Sequence, residues 1–320
     1  MGQYIIRRLL QAFPILVGIT LLTFLIMQLA PGNPLQTMID PNISLEEINL
    51  AEKKLGMDKP LVIQYFNWLK EILRGNLGYS VKTGQPVSKL IGERLPATIV
   101  LTTTAFIMSF CIGVPLGVFS ATHKYSTGDY TFTVAAFLGI SIPNFFLGLG
   151  LIYVFALKLG WLPTSGMGGI GTDLHGVSGF ITLLRHLILP ATVLTLPNLA
   201  TVTRFTRSSM IEVLLNDFVR TARAKGLSRR TVIFKHALRN ALIPVVTIFG
   251  LSIPFLFGGA YITEQVFNWP GMGSLGIQAI TAREYPVIMG LNLFTSCLVL
   301  LGNLIADISY ALVDPRIRYS

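Results

Sequence analysis

The sequence predicts an all-α polytopic membrane protein: six transmembrane helices, both termini cytoplasmic, and an extracytoplasmic helical insertion between the first two spans. Three observations carry this. Of the 320 residues, 52% are hydrophobic and only 12% charged, and mean hydropathy is +0.64, a balance suited to hydrocarbon rather than water. Six apolar runs approach or exceed the length of a membrane span. The formal charge of +10 is concentrated in segments that alternate crossings leave on one side.

A helix needs about 20 apolar residues to cross roughly 30 Å of hydrocarbon. The runs are 9–30, 97–121, 130–157, 187–202, 241–262 and 286–313. The fourth is short and is expected to begin nearer Ile181, taking in Arg185 and His186. The first is too long for a signal-peptide core and lacks a clear small-residue cleavage site after it, so it reads as a signal anchor. The chain thus divides into 1–30, the N-terminal tail and first span; 31–95, an outer helical subdomain; and 96–320, five further spans with a cytoplasmic loop at 204–239.

Within the outer subdomain, Ser44 followed by Glu47 is a capping-box pattern opening a helix that Gly56 closes. A second helix has Pro60 at its first turn, apolar residues at 62, 63, 65, 66, 69, 72 and 73, and Gly75 as its stop. It is too short to span. It is expected to lie against the outer membrane surface or over the outer mouth of the spans, where Tyr65, Phe66 and Trp68 either sit at the interface or pack the subdomain.

Orientation follows from the basic residues. The loop 204–239 holds nine (Arg204, Arg207, Arg220, Arg223, Lys225, Arg229, Arg230, Lys235 and Arg239) against Glu212 and Asp217, a net +7. Arg7 and Arg8 lie on the same side if both ends are inside, whereas residues 31–95 carry eight basic and seven acidic side chains and contribute almost nothing.

The charged loop has internal punctuation. Asp217 can cap a helix over 218–225 that stops at Gly226, and Ser228 can cap a second helix leading into the fifth span. Helix, Gly-Leu-Ser corner and helix make a compact elbow at the inner membrane face. Small Ala222 and Ala224 leave room for a partner's backbone, while Arg220, Arg223 and Lys225 are placed to meet carboxylates. Topology and contact with lipid headgroups account for the same charges without a partner. Nucleic acid is a poor explanation, because the basic residues flank a membrane entry and no nucleic-acid module is recognisable.

At these residues the chain resembles a known family. "RTARAKG" followed by "HALRNALIP" is similar to the cytoplasmic EAA loop of ABC importer permeases, in the form used by the dipeptide, oligopeptide and nickel branch. "YIIRRLLQAFPILVGITLLTFLIMQLAPGNP", "LRGNLGYS", "LPATIVLT" and "SIPNFFLG" resemble the B-type permease subunit of that branch. Ala222, Gly226 and Leu238 match the general EAA pattern. Arg220 and Thr221 replace its first two positions, and His236 and Arg239 stand where isoleucine and proline would be.

The resemblance implies the type I ABC importer permease fold in the cytoplasmic (inner) membrane of a bacterium or archaeon. It implies a coupling helix made by Asp217, Phe218, Val219, Arg220, Thr221, Ala222, Arg223, Ala224, Lys225 and Gly226, seated in an ATPase cleft. The implied partners are a homologous second permease, two ABC ATPase subunits and an extracytoplasmic substrate-binding protein. No G-x-x-x-x-G-K-[ST] run is present, so this chain is expected to bind no cofactor and to leave ATP and Mg to its partners. Peptides are the implied cargo, with nickel complexes or haem as alternatives.

An ion-coupled carrier or channel is the rival class. Such proteins keep ionisable groups deep in the membrane, and the candidates here are few: Asp307 near the inner end of the sixth span, Glu264 and Glu284 near outer ends. No G-x-S-x-G or H-E-x-x-H arrangement points to a hydrolase, and His123, His175, His186 and His236 are scattered. Cys111 and Cys297 sit in separate apolar runs and read as packing residues. Ser141, Pro143 and Asn144 in the third span, and Thr195, Pro197 and Asn198 in the fourth, are candidates for a substrate path or, equally, for helix kinks and interhelical hydrogen bonds.

Overall fold

The computed structural model describes residues 2–29, 59–168, 176–252, 256–257 and 260–313, and all described regular elements are helical. The capping-box helix expected after Ser44 lies outside the described residues. Four helices are long and apolar enough to cross a membrane, and up to six spans result if each of two bent pairs is one crossing.

Helix α1 (Gly2–Leu29) is the first of these. Helix α2 (Leu61–Leu73) follows, with Pro60 one residue before it at the cap. It ends where Gly75 turns left-handed at φ +83°. Gly75 N–H then donates to Ile72 O and Asn76 N–H to Glu71 O, at 2.8 and 3.0 Å, which satisfies two otherwise orphaned carbonyls. The aromatics of α2 divide their work. Tyr65 is buried against Phe24 and Met289, its hydroxyl 3.0 Å from that of Thr20, while Phe66 faces outward.

Helix α3 (Val87–Thr122) is 36 residues long and starts ten residues before the predicted span. At 1.5 Å per residue it measures about 54 Å, well over one bilayer core. The predicted third span is not one straight helix. Helix α4 (Thr127–Ser141) and helix α5 (Asn144–Leu151, continuing as a π-helix over Ile152–Lys158) meet at 105°. Proline causes the break: Ile142, immediately before Pro143, is extended at ψ 123°, because the proline ring excludes the helical conformation from the residue before it.

Helix α6 (Gly176–Leu214) is 39 residues long and carries Pro190 and Pro197. The segment expected to be a loop from 204 is therefore helical to Leu214. The elbow helix α7 (Asp217–Ala224) leads to α8 (Arg229–Ala241), which meets Ile243–Gly250, the body of α9 (Ile243–Ser252), at 45°. Pro244 lies one residue into α9 and cannot supply the N–H that would continue the preceding ladder. Helices α10 (Tyr261–Val266) and α11 (Met272–Thr281) precede α12 (Tyr285–Val313), so the run from 286 is one long helix and Ile262 belongs to α10 rather than to the run before it.

Helices α3 and α6 form the most extensive packed pair, and glycine lets them touch. A Cβ at Gly117 would lie 2.5 Å from Thr206 Cβ and 2.8 Å from the Thr203 carbonyl oxygen; one at Gly113 would lie 2.9 Å from Val202 Cγ1. This is close backbone approach through small residues spaced by four. Thr195 lies in the same contact, its hydroxyl donating to Ala191 O at 2.7 Å and facing Ala105 O at 3.2 Å. Cys111 is exposed on α3 and Cys297 half-buried on α12, so the first does not fill a core position within this chain.

A polar knot ties α10 and α11 to the start of α3. Glu264 is fully buried. Its carboxylate accepts from the Thr98 hydroxyl at 2.9 Å, from Ser274 N–H at 2.9 Å and from Ala260 N–H at 3.3 Å. Thr98 Oγ1 in turn accepts from Met272 N–H at 2.7 Å, and Trp269 Nε1 donates to Ala97 O at 2.8 Å. Beside it, Arg283 at φ +55° ends α11 and turns Glu284 inward to accept the Ser80 hydroxyl. Both carboxyl groups are thus hydrogen-bonded to donors around them, as buried polar groups must be.

Candidate functional site

The elbow is assembled as the sequence predicts, except at its first residue. Asn216, not Asp217, occupies the cap position, and its side chain makes no capping bond. Asp217 is the first helical residue, where its charge favours the positive end of the helix dipole. At the other end Gly226 is left-handed at φ +75°. Its N–H donates to Arg223 O at 3.0 Å and Leu227 N–H to Ala222 O at 3.4 Å, a closed corner that only glycine enters without strain. Ser228 caps the next helix, accepting from Thr231 N–H at 3.3 Å.

Burial gives α7 two faces. Val219 and Ala222 are inside, in one cluster with Val118, Ala121, Met210, Val213, Val232, Ala237 and Ala241. Ala222 therefore faces the chain's own core and does not provide the small outward surface expected of it. Asp217, Phe218, Arg220, Thr221, Arg223, Ala224, Lys225 and Gly226 are exposed. At 100° per residue, Asp217, Arg220, Thr221 and Ala224 are opposite the buried pair. Arg220 lies 3.3 Å from Asp217, an exposed pair that contributes little to stability. On the inner side of the corner, a cavity of about 470 Å³ is lined by Arg223, Leu227, Arg229 and Thr122.

A second feature lies beyond what the sequence predicts. Arg207 on α6 grips Asp129 at the start of α4 through two bonds of 2.8 Å, Nε to Oδ1 and Nη2 to Oδ2. Tyr125, left-handed at φ +64°, donates its N–H to Asp129 Oδ2 at 3.0 Å, and Ser126 Oγ caps α4 by accepting Asp129 N–H at 3.2 Å. Asp129 is buried and Arg207 about a quarter exposed. The Arg207 hydrogen bonds, against the opposing effect of burial and with help from Tyr125 N–H, hold this carboxyl below its ordinary 3.8. The pattern Ser126-x-x-Asp129 is a readable capping signal; its partner 78 residues away is not.

Asp129→Asn is expected to destabilise the chain by about 2 kcal/mol, less than a fully buried pair loses because Arg207 is partly solvated. A denaturant titration measures it. Since the folded value lies below the ordinary one, the wild-type contribution is complete above pH 3.8 and falls away as pH drops through the lower folded value. The Asp129→Asn variant should lose that part of the pH dependence.

The candidate path residues differ in exposure. Ser141 is exposed at the α4–α5 break and its hydroxyl donates to Phe137 O at 2.8 Å. Asn144 is half-buried at the start of α5, and Asn198 is exposed on α6, its amide donating to Leu194 O at 3.1 Å. Thr195 is buried between α3 and α6.

With this geometry in place, the comparisons decide the family. Residues 113–319 match the family described as binding-protein-dependent transport system inner membrane component. The chain belongs to that family. Residues 1–102 match the N-terminal region described for the same membrane components, and the permease falls in the dipeptide and oligopeptide branch. It is 48% identical over 320 residues, all of both chains, to the oligopeptide transport system permease protein AppB of Bacillus subtilis (strain 168). It is 41% identical, again over all of both chains, to the dipeptide transport system permease protein DppB of Alkalihalophilus pseudofirmus. A chain of the MetNI methionine ABC transporter, solved in inward-facing conformations, matches with a TM-score of 0.55 at 18% identity, covering 71% of the permease and 97% of that chain. That likeness supports the fold alone. The permease is a multi-pass component of the cytoplasmic membrane and a membrane subunit of an ATP-driven importer.

Proposed function

We propose that the permease passes di- or oligopeptides, received from an extracytoplasmic binding protein, through a pore it forms with a homologous second permease. Two ABC ATPases supply the energy, with ATP and Mg bound on those subunits and none on this chain. Both bent pairs count as single crossings, giving six spans with both termini inside, residues 31–95 outside and 96–320 as the translocating core. Peptide cargo is supported by the names of the relatives, which include permeases for oligopeptides, dipeptides and glutathione.

One observation carries the mechanism: α7 buries Val219 and Ala222 in the permease core while exposing Asp217, Arg220, Thr221 and Ala224. A helix keyed into its own subunit on one side and open on the other transmits a displacement of whatever grips it. In this reading ATP-driven closure of the ATPases moves α7, and through the shared cluster the cytoplasmic ends of α3 and α6, between inward-open and outward-open arrangements. The motor must bind the two arrangements with different free energy for this to work. Ser141, Asn144 and Asn198 are the polar groups proposed to meet substrate; Thr195 supports the helix contact behind them.

The test is to copurify the tagged permease without crosslinker and measure ATP hydrolysis of the complex with its binding protein. Dipeptides, longer peptides, a nickel complex and haem are added separately. Stimulation by a peptide is the expected result. Stimulation only by nickel or haem overturns the cargo, and recovery as a homo-oligomer without ATPase overturns the importer assembly.

A further inference from the structure

We propose that the groove between α4 and α6 binds one anionic phospholipid of the cytoplasmic leaflet, headgroup at Arg204 and acyl chain along Phe137 and Ile140. The groove encloses about 300 Å³ and is lined from Tyr125 and Tyr130 at the cytoplasmic end to Phe137 and Ile140 further in. From Tyr125 to Ile140 the chain covers about 20 Å at helical rise. That is close to one leaflet: half of the roughly 30 Å hydrocarbon core plus a headgroup layer.

Charge selects the occupant. The pair Asp129–Arg207 lies in the lining but is closed on itself by two bonds, so it offers no net charge. Arg204, also in the lining, is exposed and pairs with no carboxylate among the described residues; it rests over the Phe205 ring at 5.4 Å. Lys124 adds a second cation at the mouth, its Nζ 4.7 Å from the centre of the Tyr125 ring. Two cations and two tyrosines at headgroup level, above an apolar channel, match a phosphate diester carrying an acyl chain. A protein subunit seated here would have to supply a carboxylate of its own to meet Arg204. A bound phosphate neutralises it.

The experiment uses the purified transporter, permease and partner subunits together, in nanodiscs doped with phosphatidylglycerol or phosphatidylcholine bearing a photoactivatable acyl chain. Labelled peptides of the permease are then mapped. Phosphatidylglycerol is expected to label α4 and α6 at least about fivefold more than phosphatidylcholine, and inorganic phosphate should not compete. Lys124→Gln with Arg204→Gln should reduce labelling to the phosphatidylcholine level, whereas Arg229→Gln with Arg230→Gln, the same charge removed elsewhere on the cytoplasmic face, should not. Phe137→Trp, which fills the channel and keeps every charge, should also reduce it if the charge variant does not fold. Equal labelling by both lipids, labelling confined to other helices, competition by phosphate, or a Phe137→Cys crosslink to the second permease overturns the proposal.

Discussion

In proteoliposomes, the Ala224→Trp permease assembled with its ATPases is expected to take up substrate at least about tenfold more slowly than wild type, a difference of roughly 1.4 kcal/mol or more in the driven step. Its own stability should not change. Ala224 is exposed on the face of α7 opposite Val219 and Ala222, so the indole meets solvent in the free subunit and a partner only in the complex. The diagnostic pattern is basal ATP hydrolysis that no longer responds to substrate, with an unaltered unfolding midpoint. Undiminished uptake would remove α7 from the coupling role.

Gly226→Pro attacks the same elbow from inside and should abolish uptake. Proline fixes φ near −65°, against +75° here, and deletes the N–H that donates to Arg223 O. Ala222→Trp, by contrast, is expected to destabilise the subunit itself, because that side chain has no room within its cluster. Comparing positions 222 and 224 separates folding from docking two residues apart.

The second large effect is expected at the crossing of α3 and α6. Gly117→Leu should lower stability by about 3 kcal/mol or more, the upper end of the cost of overpacking, since the added carbons meet the Thr203 carbonyl oxygen at 2.8 Å or less. A backbone atom in a helix cannot turn aside, so the two helices must separate along their length. Against a total of about 5–15 kcal/mol, that loss should show as a lower denaturant midpoint and poor recovery from membranes. Gly92→Ala in the same helix is the control. A Cβ there meets nothing within 4 Å, and alanine should be neutral or stabilise by up to about 1 kcal/mol. Equal behaviour of the two variants would show that the crossing tolerates expansion.

What the sequence makes legible is local. Gly75, Gly226 and Ser228 act within a few residues of themselves, so α2, the elbow corner and the start of α8 are readable from residue type and spacing. The run ending in α12 is readable from hydropathy. Pro143 is visible, but whether it kinks a span or folds it to 105° depends on the helices packed around it. Gly113-x-x-x-Gly117 within an apolar run is a recognised signal for close helix approach, and it marks the α3–α6 crossing that span lengths alone do not predict. Glu264 and Glu284 show in the sequence only as charges near outer ends, because their partners Thr98 and Ser80 lie 166 and 204 residues away. The size of Ala222 is legible, while its direction is set by the cluster beneath it.

The length of α6 has a mechanical consequence. Measured from Thr206, where α3 presses Gly117 against it, the helix extends about 12 Å to its C-terminal end at Leu214 and about 45 Å to its other end at Gly176. Pivoting there as a stiff rod, it would be a lever with arms near one to four: each ångström of travel at the short arm swings the far tip by several. Pro190 and Pro197 lie within the long arm, where each removes a ladder hydrogen bond, so stiffening or softening those two points would reset how far the tip travels for a given stroke.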